Sequence, residues 1–199
     1  MTHQADLNRQ ADFIRQADII RQADLSDIEE IMRIIKIVYR EMHLEGNHQW
    51  DETYPQAVDF ENDIRKKELF ISEIHGRVSG FLCINHHEPE EYAQIHWSSH
   101  QIPLVLHRMA VASEFRGQGI GSVLLRFAEE YARKNGVTYL RSDTNSLNPK
   151  MNALFQKMGY SFVGQMHAFG KKVPFNFYDK VLAGSKEHRY CVTNPEEMG

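Results

Sequence analysis

Cysteine is scarce in this chain: its 199 residues hold two, Cys83 inside an apolar run and Cys191 in a polar stretch near the end. Two thiols so placed make no disulfide framework, and a reducing compartment, the cytoplasm, is expected. Long apolar runs are missing too. None approaches the roughly 18 residues of a membrane span, and the opening MTHQADLNRQAD lacks the apolar core of a signal peptide. Basic charge is not in excess: the net charge of −4 argues against general nucleic-acid affinity, which needs a basic face. The chain has eleven histidines but no HExxH and no cysteine pair at zinc-ligand spacing, so no metal is expected. The adjacent His86 and His87 point to opposite sides of an extended chain, and His96 and His100 flank Ser98 and Ser99, a strand end and loop. What remains, 42% apolar and 25% charged residues, describes one ordinary globular domain. A chain of this length buries about 70% of its unfolded surface without covalent staples.

The chain opens on a repeat. Residues 3–26 contain HQADLN, RQADFI, RQADII and RQADLS, four copies of a six-residue unit. Six fits no heptad, and 24 residues make no solenoid. Residues 1–18 are therefore expected to be an extension, with the domain at 19–183 and a polar tail at 184–199. Ile19–Ala23, in the last copies, reads as a short first strand. Ile28, Ile31, Ile35, Val38 and Met42 share one helical face, with Ser26 and Glu29 as a capping box and Asp24 as a competing cap. Pro55 is expected to open a second helix through Ile64. Strands are expected at Leu69–Ile74, Val78–Asn85, Tyr92–Trp97 and Leu104–Val111. A long amphipathic helix follows from Ile120 to Gly136, then a strand at Val137–Asp143, a helix capped by Asn148-Pro149, and two strands, Tyr160–Met166 and Phe175–Leu182. Hairpins mixed with crossovers predict an α/β (α+β) domain with a mixed central sheet flanked by helices.

The chemistry-bearing signal is the turn after the central strand, Ser113-Glu114-Phe115-Arg116-Gly117-Gln118-Gly119-Ile120-Gly121, which feeds the long helix. A helix start offers unpaired N–H groups and the positive end of the dipole, and glycines let an anion approach them. A P-loop is excluded, because no lysine lies between Arg77 and Lys134. A dinucleotide fingerprint would start at Gly117 and Gly119 but meets Ser122 at its third glycine. Asp143 stands roughly where a ribose-binding acid is expected, yet too little chain follows for a second nucleotide-binding half.

Arg116-x-x-Gly119-x-Gly121 matches the R/Q-x-x-G-x-G/A loop of the GNAT superfamily of acyl-CoA N-acyltransferases, which the chain resembles. Met109-Ala110-Val111 is similar to the strand before that loop in the family. Asn148, Leu154, Phe155 and Gly159-Tyr160 are similar to its N-x-x-A-x-x-L-Y-x-x-x-G-F segment. The resemblance spans about residues 19–182 and implies a mixed central sheet of about seven strands flanked by helices, with acyl-CoA bound at splayed central strands. By it, Met109 and Val111 would bind the pantetheine arm. The backbone of Arg116, Gly117, Gln118, Gly119, Ile120, Gly121 and Ser122 would cradle the pyrophosphate, and Asn148 and Phe155 would border the thiol end. An asparagine before Pro149 is also an N-cap in its own right. The family's tyrosine, invoked as acid for the departing thiolate, is Phe155 here. A thiol with pKa near 8.5 still leaves as thiolate near neutral pH.

Acylation needs an uncharged amine, and an alkylamine with pKa about 10.4 must lose a proton. His107, two residues before Met109 and on its face by the period of two, is the candidate base. Residues 41–63 carry seven acids and no Lys or Arg, whereas residues 108–157 carry eight Lys/Arg against four acids. The later half should suit an anionic cofactor and the earlier a cationic acceptor, with Trp50, Asp51, Tyr54, Glu91 and Asp143 as candidate acceptor contacts. The resemblance implies an N-acetyltransferase using acetyl-CoA on a primary amine of a small molecule or peptide, in one ternary complex. It implies a homodimer as one assembly; from spacing, charge and hydropathy no metal, nucleic acid or membrane is expected. The rivals are a non-catalytic acyl-CoA sensor of the same fold and a nucleotide-binding oxidoreductase.

Overall fold

A computed structural model describes residues 19–183. The repeat copies in residues 1–18 and the polar tail, with Cys191, lie outside the described residues. Seven strands form one sheet in the order β1-β2-β3-β4-β5-β7-β6: β1 (Ile19–Gln22), β2 (Leu69–Ile74), β3 (Arg77–Asn85), β4 (Leu104–Val111), β5 (Tyr139–Asn145), β6 (Ser161–Met166) and β7 (Phe175–Val181). Neighbours are antiparallel except β4 and β5. The helices are α1 (Ile28–Leu44), α2 (Ala57–Arg65), α3 (Ile120–Lys134) and α4 (Pro149–Lys157). Among the described residues no helix is long and apolar enough to cross a membrane.

Both faces of the sheet are buried, as β-α-β crossovers require. On one face Leu124, Leu125 and Ala128 of α3 and Phe155 of α4 pack on Leu82, Leu104, Leu106 and Leu140. On the other, Ile31, Ile34 and Ile35 of α1 and Phe60 of α2 pack on Leu69, Ile71, Phe81 and Cys83. Beyond the reach of α1 and α2, that second face is covered by Tyr92, Ile95 and Trp97 over Val105 and Phe177.

That last cluster corrects the expected strand at Tyr92–Trp97. Glu90–Gln94 is a 3₁₀ turn, and Tyr92 within it and Trp97 beyond it lie on the sheet rather than in it. Tyr92 is buried edge-on to Phe177, and Trp97 donates from Nε1 to the Tyr92 carbonyl at 2.8 Å. The β-type composition recorded burial on a pleated surface, not pairing. At the start of α1, Asp24 accepts from Ser26 N at 2.8 Å and Asp27 accepts from Asp24 N at 2.8 Å. The capping box is therefore Asp24 with Asp27, around a 3₁₀ turn at Leu25–Asp27 that precedes the helix. Pro55 sits ahead of α2, whose N-cap is Gln56. β5 lies two residues later than expected.

Arg21 explains why β1 takes the register it does. Its guanidinium forks between Glu73 of β2 (Nε–Oε2 2.9 Å) and Asp27 (Nη2–Oδ1 2.8 Å). Of the repeat arginines, Arg9 and Arg15 have an arginine six residues on; Arg21 alone has an acid there.

Candidate active site

β4 and β5 are paired only at Leu104↔Leu140, Val105↔Arg141 and Leu106↔Ser142. Beyond that point β4 stays with β3 as far as Gly80↔Val111, and β5 stays with β7 as far as Asn145↔Phe175. The two parallel strands therefore part at His107 and Asp143 and leave a wedge. The β4 edge from His107 to Val111 has no strand beside it on the β5 side, so its backbone groups are free to pair with something else. A cavity of about 890 Å³ fills the wedge and is lined by β4, β5, the end of α1, the glycine turn and the start of α4. That volume lies in the upper part of the range for small-molecule pockets.

A bulge in β4 deepens the opening. The register with β3 shifts between Phe81↔Ala110 and Cys83↔His107, and Arg108 has φ +45°. The extra residue breaks the period of two. Met109 packs on the α3/α4 side, whereas His107 pairs with Cys83, whose side chain packs on the α1/α2 side. The two residues expected to share a face are on opposite ones.

At one end of the wedge lies the glycine turn. Gly117 has φ +78° and Gly119, the N-cap of α3, has φ +87°, and an added Cβ at either would meet open space. These two glycines are needed for backbone shape. Gly121 is needed for packing: a Cβ there would lie 2.8 Å from Leu154 Cδ2. Arg116 N donates to Ser113 O and Ser122 N to Gly119 O. Between them, the N–H groups of residues 117–121 have no protein acceptor among the described residues. Five free donors at a helix start form an anion cradle. The expected cradle from Arg116 to Ser122 thus narrows at both ends. The Gln118 side chain turns away to the Glu114 carbonyl and does not line the cavity. Arg116 does line it, in an ion pair with Glu41 of α1.

Met109, Val111, Ile120, Ser122 and Asn148 also lie on the cavity wall. Asn148 is at the same time the N-cap of α4, its Oδ1 accepting from Met151 N at 3.1 Å and its Nδ2 donating to Thr144 Oγ1 at 3.2 Å. Phe155 is not on the wall. It is buried in the core, stacked on Tyr178 with centroids 4.9 Å apart.

The other end of the wedge is built from side chains. Trp50, Tyr54, His107, Arg108, Asp143 and Lys171 line it. Arg108 binds Asp63 of α2 through two bonds of 2.7 Å and donates to Tyr54 Oη at 3.0 Å. Asp51 lies behind the wall, paired with Lys171 at 2.7 Å; this ammonium and the Thr53 donors hold its carboxyl well below the usual range. Glu91 is also off the wall and accepts from Phe169 N at 3.2 Å. His107 Nε2 lies 3.0 Å from the His87 carbonyl, which can only accept, so Nε2 carries the proton and Nδ1 the lone pair. Burial and the adjacent Arg108 push this imidazole down to about 4. Asp143 is half-buried; removal from solvent, with a smaller push from Glu91, raises its carboxyl to about 6, while Tyr92 donates to its Oδ1 at 2.7 Å and works the other way.

The acidic stretch 41–63 is largely spent inside the chain. Glu41, Glu45, Asp51 and Asp63 pair with Arg116, Lys150, Lys171 and Arg108 of the later half. The two unlike halves hold each other across the wedge. Asp63, Glu68 and Cys83 come within 4.8 Å of one another, but Arg108 occupies Asp63 and Asn85 donates to Glu68 at 2.9 Å. Arg108, Tyr92 and Lys171 escaped the sequence reading. Only Arg108 carried a signal, as a lone cation inside the apolar run LVLHRMAV.

The sequence model of the acetyltransferase (GNAT) family matches residues 30–160. Similar proteins include the uncharacterized N-acetyltransferase YesJ of Bacillus subtilis, 24% identical over 156 residues, which are 74% of this chain and 86% of the relative. Streptothricin acetyltransferase of Streptomyces lavendulae is 32% identical over 73 residues, 37% of this chain and 39% of that protein. Among solved structures, a GNAT-family acetyltransferase from Streptococcus agalactiae superposes with a TM-score of 0.76 at 26% identity, over 84% of this chain and 97% of that one. YncA of Salmonella typhimurium, solved with acetyl-CoA, is alike in fold, with a TM-score of 0.63 at 19% identity over 88% and 100% of the two chains.

Proposed function

Because this chain belongs to the acetyltransferase (GNAT) family, whose donor is acetyl-CoA, we propose that it transfers the acetyl group directly to a primary amine of a small molecule or peptide. The observation that carries this reading is the wedge itself. It joins five free N–H groups at residues 117–121 to a chamber of ionisable and aromatic side chains at the parting of β4 and β5. Acetyl-CoA supplies an activated thioester when bound. Residues 117–121 would hold its pyrophosphate, with Arg116 available if it leaves Glu41. The free β4 edge at Met109 and Val111 would pair with the amides of the pantetheine arm, aiming the thioester towards the apex. The acceptor amine would enter past Trp50 and Tyr54.

Direct transfer is favoured over an acyl-enzyme by the state of Cys83. This thiol is buried off the cavity wall, burial pushes it up to about 12, and a nucleophilic cysteine needs the reverse. The test is a panel of primary amines monitored by release of free CoA, with thermal shift in parallel. Acetyl-CoA should raise the melting temperature and NAD should not, because only a ligand of the native state stabilises it. Equal stabilisation by NAD, or none by acetyl-CoA, would sink the reading.

A further inference from the structure

We propose that Asp143, oriented by Tyr92, is the group that takes the proton from the acceptor's ammonium at the apex of the wedge. The proposal rests on reading the wedge as an acetyl-transfer site. Its first support is position. Pairing of β4 with β5 ends at Leu106↔Ser142, so Asp143 is the first β5 residue past the parting, and it lies on the cavity wall. An arm lying along Met109 and Val111 leaves its reactive end at this apex.

The second support is charge. Four other carboxylates on or just behind the wall each have a cation, Glu41 with Arg116, Glu45 with Lys150, Asp51 with Lys171 and Asp63 with Arg108, whereas Glu91 beside Asp143 is held by the Phe169 N–H. Asp143 has none. Tyr92 Oη donates to Oδ1, and Oδ2 has no protein partner among the described residues. The groups facing it are Tyr92 and Glu91 from the 3₁₀ turn, Tyr54 from the loop before α2, and His107 across the apex. The nearest cation along its own strand, Arg141, is engaged elsewhere, in an ion pair with Glu88 and over the Trp97 ring at 4.4 Å. A secluded carboxylate without a cation is a site for one.

The third support is reactivity. With the carboxyl pushed up to about 6, Asp143 is ionised at neutral pH, yet it is a stronger base than His107 at about 4. Only the carboxylate also holds the ammonium by charge. In the step, Asp143 takes one proton from R–NH₃⁺ and the freed nitrogen lone pair attacks the thioester carbon. The C–N bond forms, the C–S bond breaks with its electron pair leaving on sulfur, and the second nitrogen proton ends on that thiolate. Asp143 then releases its proton to water.

The test pairs Asp143→Asn with Tyr92→Phe. With an amine that the wild type acetylates, Asp143→Asn should lower kcat/KM by about 10²–10⁴ at pH 7, less at alkaline pH. The melting shift given by acetyl-CoA should be kept. Tyr92→Phe removes a bond that favours the carboxylate, so the acid limb of the pH profile should move up. The carboxyl ¹³C resonance of Asp143, measured without acceptor, should titrate near pH 6, vanish in Asp143→Asn and move up in Tyr92→Phe. An Asp143→Asn enzyme with wild-type kcat/KM from pH 6 to 8, or a resonance titrating near pH 4, overturns the proposal. Failure of the parent reading would show separately, as a wild type that acetylates no amine or gains no stability from acetyl-CoA.

Discussion

The two ends of the wedge are made of different materials. The glycine-turn end is backbone: free N–H groups of residues 117–121, shaped by the positive φ of Gly117 and Gly119. The acceptor end is side chains brought from far apart, with Arg108 on Asp63 across 45 residues, Tyr92 on Asp143 across 51 and Lys171 on Asp51 across 120. A backbone site needs only a local pattern, so it reads the same in any chain that adopts the turn. A side-chain chamber depends on which distant residues the fold happens to bring together, and there a family that shares its cofactor can vary its acceptor.

The strongest way to break the acceptor end alone is through Asp63. Arg108 and Asp63 are an almost fully buried pair, with side-chain exposures of 14% and 7%. Asp63→Ala leaves a guanidinium uncompensated beneath the chamber and should cost about 3–5 kcal/mol in urea unfolding. Asp63→Leu combined with Arg108→Met removes both charges and should recover most of that loss. The double variant should still be stabilised by acetyl-CoA while losing activity towards the acceptor. Loss of the cofactor shift as well would show that the two ends are not separable.

The converse experiment breaks the backbone end. Gly119→Glu places a carboxylate in the open space beside the free N–H groups. Acetyl-CoA affinity should fall at least about 100-fold, near 2.8 kcal/mol, by thermal shift or calorimetry. Gly119→Asn separates charge from backbone strain, since asparagine tolerates the left-handed region, and it should lose far less affinity. Equal losses in the two variants would mean that the turn's shape, not its electrostatics, is what the cofactor needs.

The same division decides what was legible in the sequence. Arg116-x-x-Gly119-x-Gly121, the amphipathic α3 and the N-cap at Asn148 are local patterns, and each stands where it was expected. The mixed sheet follows from hairpins and crossovers that can be counted along the chain, although that count gives eight strands where the sheet has seven. What escaped is non-local. The β4 bulge is invisible in LVLHRMAV and sends His107 to the face opposite Met109. The aromatic residues of Tyr92–Trp97 look like a strand because they cover one. The acids of 41–63 look unspent until their partners, 75 to 120 residues on for Glu41–Arg116, Glu45–Lys150 and Asp51–Lys171, are seen beside them. Asp143 stands out in the sequence at the end of its strand, but its isolation from cations is a property of the fold.

A smaller effect sharpens the comparison inside the acceptor end. With its imidazole at about 4, His107 is neutral from pH 6 to 9, and its Nε2–H is committed to the His87 carbonyl. His107→Ala should lower kcat/KM by less than about tenfold, with the same ratio across that pH range, because no proton transfer is lost. A deficit that closes as pH rises would return the base role to His107.

The smallest effect belongs to the repeat, which stands outside both ends although it is the most conspicuous pattern in the sequence. Deleting one whole unit, residues 15–20, leaves Phe13-Ile14 directly before Arg21. Ile14 then replaces Ile20, which packs on the α3/α4 core, and Arg21 keeps its fork to Glu73 and Asp27. Stability should change by no more than about 0.5 kcal/mol, and cofactor and acceptor kinetics should not change. Deleting half a unit, residues 18–20, instead puts Gln16-Ala17 before Arg21 and trades Ile20 for alanine. That loss of packing should cost about 1–3 kcal/mol, since the position is only partly buried. The two deletions differ by phase, not by much in length. If they cost the same, β1 is held by something other than the register that Arg21 defines.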